Sequence, residues 1–282
     1  LFLYRRVLGR DVGEFAGLVR AKRKRRLPVV MTRTEVRAVL SHLEGTPQLM
    51  ALLMYGSGLR LLECATLRVQ DLDFAAGQVR VRSGKGAKDR MTLLPAALVP
   101  RLREHLRHVR EVWESDRSAG AGWVELPEAL DRKFPNAAGE WRWQWVFPAT
   151  RTYFHRPTGR SRRHHLHESV LQREVKLAVA RAGLTKRVTC HTFRHSFATH
   201  LMQDGYDIRT IQELLGHEDV STTMIYTHVL GSAVAGIRSP ADALLPPDGE
   251  LSSPPDPRPD GAPLSRGEFR PRALRPPPRD LS

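Results

Sequence analysis

The chain has 282 residues and a formal net charge of +15 at pH 7, a surplus that favours a polyanionic partner, first nucleic acid and second an anionic membrane surface. The apolar fraction of 41% suits a globular core, and no apolar run reads as a membrane span or a signal peptide. Its two cysteines, Cys64 and Cys190, are too few to staple a fold of this size, so we expect a reducing, cytoplasmic setting.

The N-terminal part divides at a basic run. Residues 1–19 begin with Leu1 inside a helical pattern, which we interpret as the end of an upstream helical domain that is nearly all missing. Residues 20–28, "RAKRKRRLP", form a linker between domains. It is either merely solvated or follows DNA phosphates, and in the second case the contacts come from Lys22, Arg23, Lys24, Arg25 and Arg26.

Helix signals dominate the next part. Thr32 with Glu35 predicts a capping box, and the helix after it has an apolar stripe formed by Val36, Val39, Leu40 and Leu43. Pro47 opens a second helix that Gly56 or Gly58 ends, and "LRLLECATL" predicts a third. The alternating "QVRVRS", the turn "GKGAKD" and "RMTLLP" then predict a β-hairpin with a basic tip.

The remaining elements are mostly helical. We predict a long charged helix from Pro95 to Arg117, a helix striped from Leu171 to Ala182, one in which Phe193, Phe197 and Leu201 mark the buried face, and two short ones in "DIRTIQELLGH" and "STTMIYTHVL". The fold class is therefore mainly α with a small antiparallel β-sheet. Residues 239–282 are proline-rich and are predicted to be disordered, with room for a short helical piece at Ala241 to Leu245.

An aromatic segment interrupts this pattern at residues 121–149. Trp141, Trp143 and Trp145 alternate, so on a strand their side chains would share one face. That face is either an extra core strand or a platform for unstacked bases. Three histidines follow in "SRRHHLHE". Their spacing matches no common closed metal site, so we expect stacking and phosphate contacts there and no metal.

Six polar residues are not needed by the helix patterns: Arg60, Lys85, His191, Arg194, His217 and Tyr226. Each alone has an ordinary structural explanation as a cap, a turn or a surface residue. Together they suit attack on a phosphodiester, which needs a nucleophile, cationic donors and an acid for the leaving oxygen. The arginines match a phosphate, the histidines donate to it or move protons, Lys85 protonates the leaving 5′ oxygen, and Tyr226 attacks.

The order of these residues resembles the tyrosine recombinases, also called the phage integrase family. "GLRLLE" resembles the first arginine box, "GKGAKDR" the hairpin with the catalytic lysine, and "HTFRHSFATHL", "IQELLGH" and "TTMIYTH" the second box. The resemblance implies a catalytic domain at residues 29–238 and DNA strand exchange through a 3′-phosphotyrosyl link to Tyr226. Lys88 and Arg90 become DNA contacts, no cofactor is required, and four protomers act on two synapsed sites.

The segment 121–149 resembles the one added in integron integrases, a bacterial branch of that family that acts on folded single-stranded cassette sites. By this resemblance Trp143, His164 and His165 contact extrahelical bases. Three alternatives stay open. The chain could be a Xer-type or phage-type recombinase acting on duplex sites, a DNA-binding fragment without catalytic activity, or an enzyme that relaxes DNA like a type IB topoisomerase.

Overall fold

A computed structural model describes residues 3–10, 28–82, 89–127, 130–216 and 238–244 of the chain. Its α-helices are α1 (Arg33–Ser41), α2 (Gly45–Ser57), α3 (Leu61–Ala65), α4 (Val99–Ser118), α5 (Leu130–Lys133), α6 (Glu168–Arg181), α7 (Cys190–Gln203) and α8 (Ile208–Leu215). A single π-helical turn spans Leu3–Val7, ahead of the helices. None of the helices in these ranges combines the length and the apolar character that crossing a bilayer requires.

In the part of the chain that the structure describes, two small antiparallel sheets accompany the helices. The first has the order β1 (Leu72–Asp73), β2 (Gln78–Val81), β3 (Arg90–Leu93), and the second pairs β4 (Pro148–His155) with β5 (Arg160–His165). The predicted hairpin is confirmed as β2 and β3, with Val79 opposite Thr92. The predicted fold class, mainly α with small antiparallel sheets, is likewise confirmed.

The helices begin and end near the capping residues and glycines that the sequence analysis identified. Thr32 and Glu35 make the reciprocal capping box at the start of α1, with hydrogen bonds of 2.7 Å and 3.2 Å. Helix α2 ends at Gly58, whose φ of 64° is left-handed, while Gly56 lies inside the helix. A Cβ on Gly58 would lie 2.6 Å from ring carbons of Phe197. Glycine at this position therefore permits both the turn and the close approach of α7.

Helix α2 is the centre of the main core. Its residues from Leu49 to Ser57 are all buried, because "LMALLMY" has no charged residue to direct toward water. Helices α1, α3, α6 and α7 pack around it. A second cluster joins α7, α8 and β3 through residues that include Leu93, Phe197 and Ile211. This packing fixes the start of α7 and the end of α8 beside the turn after α2.

The structure corrects the prediction for the tryptophans. Trp141–Trp143 is a turn of 3₁₀-helix, not part of a strand. Trp143 and Trp145 are buried in a separate apolar cluster with Val124 and Leu126, whereas the ring of Trp141 packs 5.5 Å from that of Trp113. The indoles therefore do not form one exposed face. Side chains of a 3₁₀ turn diverge, and each ring finds its own neighbours.

The second hairpin, β4 with β5, is absent from the sequence predictions. Its residues Arg151 to Phe154 are exposed on both faces, so the strand lacks the alternation of apolar and polar residues by which strands are recognised.

The start of the proline-rich segment is ordered, which corrects the boundary at residue 239. Ser239 Oγ donates to the carbonyl of Gly56 at 2.6 Å, and the Ala97 amide donates to the Asp242 carboxylate at 3.0 Å. Ala241 and Leu244 are buried in the main core. Ser239–Leu244 therefore belongs to the folded domain, as successive turns rather than the predicted helical piece.

Candidate active site

Arg60 and Glu63 form the first part of the site. Arg60 caps the N-terminus of α3, directly after the turn at Gly58. Its backbone amide donates to Glu63 Oε2 at 2.8 Å, and its Nη1 donates to Glu63 Oε1 at 2.6 Å. The guanidinium is therefore held at the start of a short helix, with part of its surface still open to solvent.

Arg194 reaches the same place from α7. Its Nη1 donates to the carbonyl of Gly58 and its Nη2 to the carbonyl of Leu215, each at 2.6 Å. Nη1 also lies 3.7 Å from Glu63 Oε2. The planar guanidinium thus joins the ends of α2 and α8, a geometry that lysine could not reproduce.

Arg90 completes the cluster from β3. Its two terminal nitrogens donate to the two carboxylate oxygens of Glu63 at 2.9 Å and 2.6 Å, and its Nε donates to the carbonyl of Leu214 at 3.0 Å. The side chain is only 9% exposed. The contact of Arg90 with DNA stays a prediction. Arg90 is fixed by bonds within the protein, so we infer that it positions Glu63.

Glu63 is the centre of this arrangement. Burial disfavours its charged form, but hydrogen bonds and charge from Arg90, followed by bonds from Arg60, lower its pKa to about 2. The carboxylate is therefore ionised at neutral pH. Three guanidinium groups and one carboxylate leave a local charge of about +2, which suits a phosphodiester.

His191 and Arg194 lie three positions apart on α7, so their side chains lie on the same side of the helix. His191 is exposed and borders a cavity of about 460 Å³. His195, one turn further along, is partly buried. Burial lowers the pKa of His195, as do, to a smaller extent, the charges of His191 and Arg194. The start of α7 thus carries an exposed imidazole beside the arginine cluster.

The structure brings together Arg60, Arg194 and Arg90 from the predicted set. The other predicted residues of the catalytic pocket and of the linker lie outside the described residues: Lys85, Lys88, His217, Tyr226, Lys22, Arg23, Lys24, Arg25 and Arg26.

The predicted base contacts lie around a stack of arginine on tryptophan. The guanidinium carbon of Arg68 is 3.1 Å from the ring centroid of Trp145, and its Nη1 donates to the carbonyl of Trp143 at 2.8 Å. The rings of His164 and His165 lie 6.0 Å and 5.2 Å from that of Trp145. Both histidines are partly exposed, whereas Trp143 is 9% exposed. A base that stacked on Trp143 would have to displace its present packing.

A cleft of about 280 Å³ connects the two groups of residues. Glu63 lies in its wall, as do Arg68, Asp71, Arg82 and Trp145. Arg82 donates to Asp71 at 2.5 Å, so these charges are paired. The cleft therefore joins the arginine cluster to the aromatic stack.

Two residues of the site were not among the sequence predictions. Glu63 has a usable pattern, since an acidic residue three positions after the start of a short helix can accept from the backbone amide at that start, as Glu63 does from Arg60. Arg68 has none, because an arginine beyond a short helix is ordinarily a surface residue, and its partners Glu125 and Trp143 are distant in sequence.

Comparison with known proteins gives consistent matches. The model of the phage integrase family matches residues 29–232. A protein described as integrase/recombinase in Escherichia coli is 52% identical over 247 residues, which cover 87% of this chain and 73% of that protein. One in Pseudomonas aeruginosa has the same figures.

More distant relatives carry more specific names. The tyrosine recombinase XerA of Thermococcus onnurineus is 36% identical over 206 residues, 72% of this chain and 59% of that protein. Among solved structures, that of a XerA recombinase matches with a TM-score of 0.51 and 26% identity, covering 80% of this chain and 67% of the other.

Proposed function

Because the chain belongs to the phage integrase family of tyrosine recombinases, we propose that it cleaves and rejoins DNA strands with Tyr226 as the nucleophile. The observation that carries this proposal is the cluster in which Arg60, Arg90 and Arg194 meet at Glu63. The guanidinium groups of Arg60 and Arg194, already positioned before DNA binds, can stabilise the charge that develops on the two non-bridging oxygens of a phosphodiester.

The proposed reaction conserves its atoms and bonds. The Tyr226 phenol attacks the scissile phosphorus, a new P–O bond joins tyrosine to the 3′ end, and the bond to the 5′ oxygen breaks. Lys85 protonates that oxygen as it leaves, while His191 and His217 donate to the phosphate or move protons. The phenol loses its proton with help from the neighbouring cations, since its ordinary pKa is about 10. A 5′ hydroxyl of the partner strand then attacks the phosphotyrosine and releases the enzyme.

We further propose an integron-type substrate, a folded single-stranded site whose extrahelical bases contact Trp143, His164 and His165. Two observations support it. Residues 141–167 contain six arginines and no acidic residue, and His164 and His165 stand partly exposed at the edge of Trp145. Such an enzyme would integrate or excise cassettes as a homotetramer on two synapsed sites.

Covalent trapping tests the chemistry. Short duplexes with a randomised centre, each carrying one nick, are incubated with the full chain, and complexes that survive denaturation are counted. We expect the natural chain and the control Tyr153→Phe, an exposed tyrosine, to trap DNA, and Tyr226→Phe to trap none. Equal trapping by Tyr226→Phe would refute the assignment of the nucleophile.

Competition between DNA forms tests the proposed branch. Sequences recovered from the trapped pool are offered as folded single strands and as duplexes. An integron-type enzyme prefers the folded strand. Preference for the duplex would instead favour a Xer-type or phage-type recombinase, in agreement with the names of the relatives such as XerA.

A further inference from the structure

A cavity beside the arginine cluster shares only His191 with the reaction proposed above. It has a volume of about 460 Å³ and lies between α6 and the segment that enters α7. Leu61, Val175 and Val188 form its apolar part. Leu61 directly follows Arg60, and His191 lies at the rim. The cavity therefore lies next to residues that are proposed to bind the scissile phosphate.

Cationic side chains border the same cavity. Lys176 of α6 and Arg187 of the following loop line it together with His191. Among the residues that the structure describes, these three side chains make no hydrogen bond or ion pair. By contrast, Arg60, Arg90 and Arg194 are each bonded to Glu63 or to backbone carbonyls. The charges of Lys176 and Arg187 are therefore available to an anion.

The local backbone explains why Arg187 borders the cavity. The preceding residue, Lys186, donates to Glu35 of α1 at 2.7 Å, and the following residue, Val188, is buried. With its neighbours fixed on both sides, the loop holds the exposed Arg187 at the rim.

We propose that this cavity binds the nucleotide next to the scissile phosphate, with its phosphate at Lys176 and Arg187 and its sugar against Val175 and Val188. The inference rests on the proposed function, because it takes the arginine cluster as the site of the reacting phosphate. The volume lies within the range of small-ligand sites, and the combination of an apolar wall with a few charged groups is typical of them. Binding here would hold the strand in register on one side of the reacting bond.

Salt dependence of DNA binding tests the proposal without requiring cleavage. The double variant Lys176→Ala/Arg187→Ala is compared with Arg181→Ala, an exposed cation on the same helix that does not line the cavity. With the randomised duplex pool as probe, we expect the double variant to lower the slope of log affinity against log salt by about one for each lost phosphate contact. We expect it to weaken binding by at least about tenfold. A slope equal to that of the control would overturn the proposal.

A chemical substitution in the DNA locates the contact. On a sequence recovered by trapping, a methylphosphonate replaces one of the two phosphates that flank the scissile one. At one of these positions it should weaken binding by the natural chain and have no further effect on the double variant. Equal losses for both proteins at both positions would overturn the proposal. If no chain forms a covalent complex, the proposed function fails, while the salt slope still reports on the cavity.

Discussion

The carboxylate of Glu63 determines how the cations of the site are arranged. It accepts hydrogen bonds from Arg60 and Arg90 and lies 3.7 Å from Arg194. Three guanidinium groups so close together would repel one another without a negative charge among them. Glu63 is therefore a positioning residue, and its charge matters as much as its shape.

Replacing Glu63 by Gln keeps the shape and removes the charge. Because the pKa of the carboxyl is lowered from 4.5 to about 2, its ionisation stabilises the fold by about 3 kcal/mol at pH 7. A lowered pKa gives stability that is present above the unfolded value and is lost as pH falls through the folded value. Denaturant unfolding should therefore show a large deficit for Glu63→Gln at pH 7.

The deficit of Glu63→Gln should shrink below about pH 4.5 and nearly vanish near pH 2. Glu114→Gln on the surface of α4 is the matched control, since its pair with Arg110 is exposed and contributes little. A deficit that does not change with pH would show that shape rather than charge makes Glu63 important.

Loss of Arg60 or of Arg194 should reduce strand cleavage more than DNA binding. We expect Arg60→Ala and Arg194→Ala to reduce strand cleavage by about 100-fold or more. DNA affinity should change little, because many other basic residues still bind the DNA backbone. The measurements are covalent trapping and DNA affinity side by side, with Arg173→Ala as the control because that exposed arginine pairs with Glu174. Parallel losses of binding and cleavage would contradict a role in the transition state.

At the scale of elements, the junction of α2 and α3 connects packing to the site. Gly58 ends α2 with a left-handed φ, contacts Phe197 of α7, and offers its carbonyl to Arg194. A residue with a side chain here would push α7 away from α3. The separation of Arg60 and Arg194 therefore depends on this glycine.

Gly58→Ala should be much more destabilising than Gly77→Ala. Both positions have a φ near 65°, but a Cβ at Gly77 meets nothing within 4 Å, whereas one at Gly58 lies 2.6 Å from the ring of Phe197. Backbone strain alone costs about 1 kcal/mol, and overpacking of the core adds about 1–3 kcal/mol at Gly58. Thermal unfolding of the two variants separates backbone strain from overpacking. Equal losses of stability would mean that α7 moves to accept the added methyl group.

The elements that the sequence predicts well are those with a local cause. The capping box of Thr32 and Glu35 and the apolar stripe of α6 depend only on near neighbours. Strands β4 and β5 escape prediction because their exposed arginines and histidines leave no alternation. In the site, the fork of Arg194 is predicted by residue type, but its bonds to Gly58 and Leu215 join residues far apart in sequence. Such contacts follow from packing, not from pattern.

At the scale of the whole molecule, residues 238–244 pack on the folded domain. The amide of Arg238 donates to the Tyr206 hydroxyl at 2.9 Å, and Ser239 to Leu244 packs against α2 and the turn that precedes α4. Composition alone assigns these residues to the proline-rich tail. Ser239–Leu244, which we call the anchor, is short and has small side chains, so its sequence shows no periodic pattern. Gly56 makes room for it, since a Cβ there would lie 2.8 Å from that of Ala241.

Two truncations test the contribution of this anchor. A chain that ends at Leu244 should unfold at nearly the same temperature as the full chain. One that ends at residue 237 should lose about 2–4 kcal/mol, from the burial of Leu244 and Ala241 and the bonds of Ser239 and Asp242. Identical melting temperatures for the two truncations would show that the anchor contributes nothing to stability.

The hydrogen bond from Arg194 to the carbonyl of Leu215 also limits how far Tyr226 can lie from Arg194. Tyr226 follows Leu215 by eleven residues, and a fully extended chain of that length spans at most about 40 Å. The Tyr226 phenol therefore lies within a limited distance of the Arg194 guanidinium, the group proposed to assist it. If Tyr226 is the nucleophile, its encounter with a phosphate bound at Arg194 of the same protomer is an intramolecular step. Dilution of the protein would then slow any step that joins two protomers without slowing the proposed attack within one.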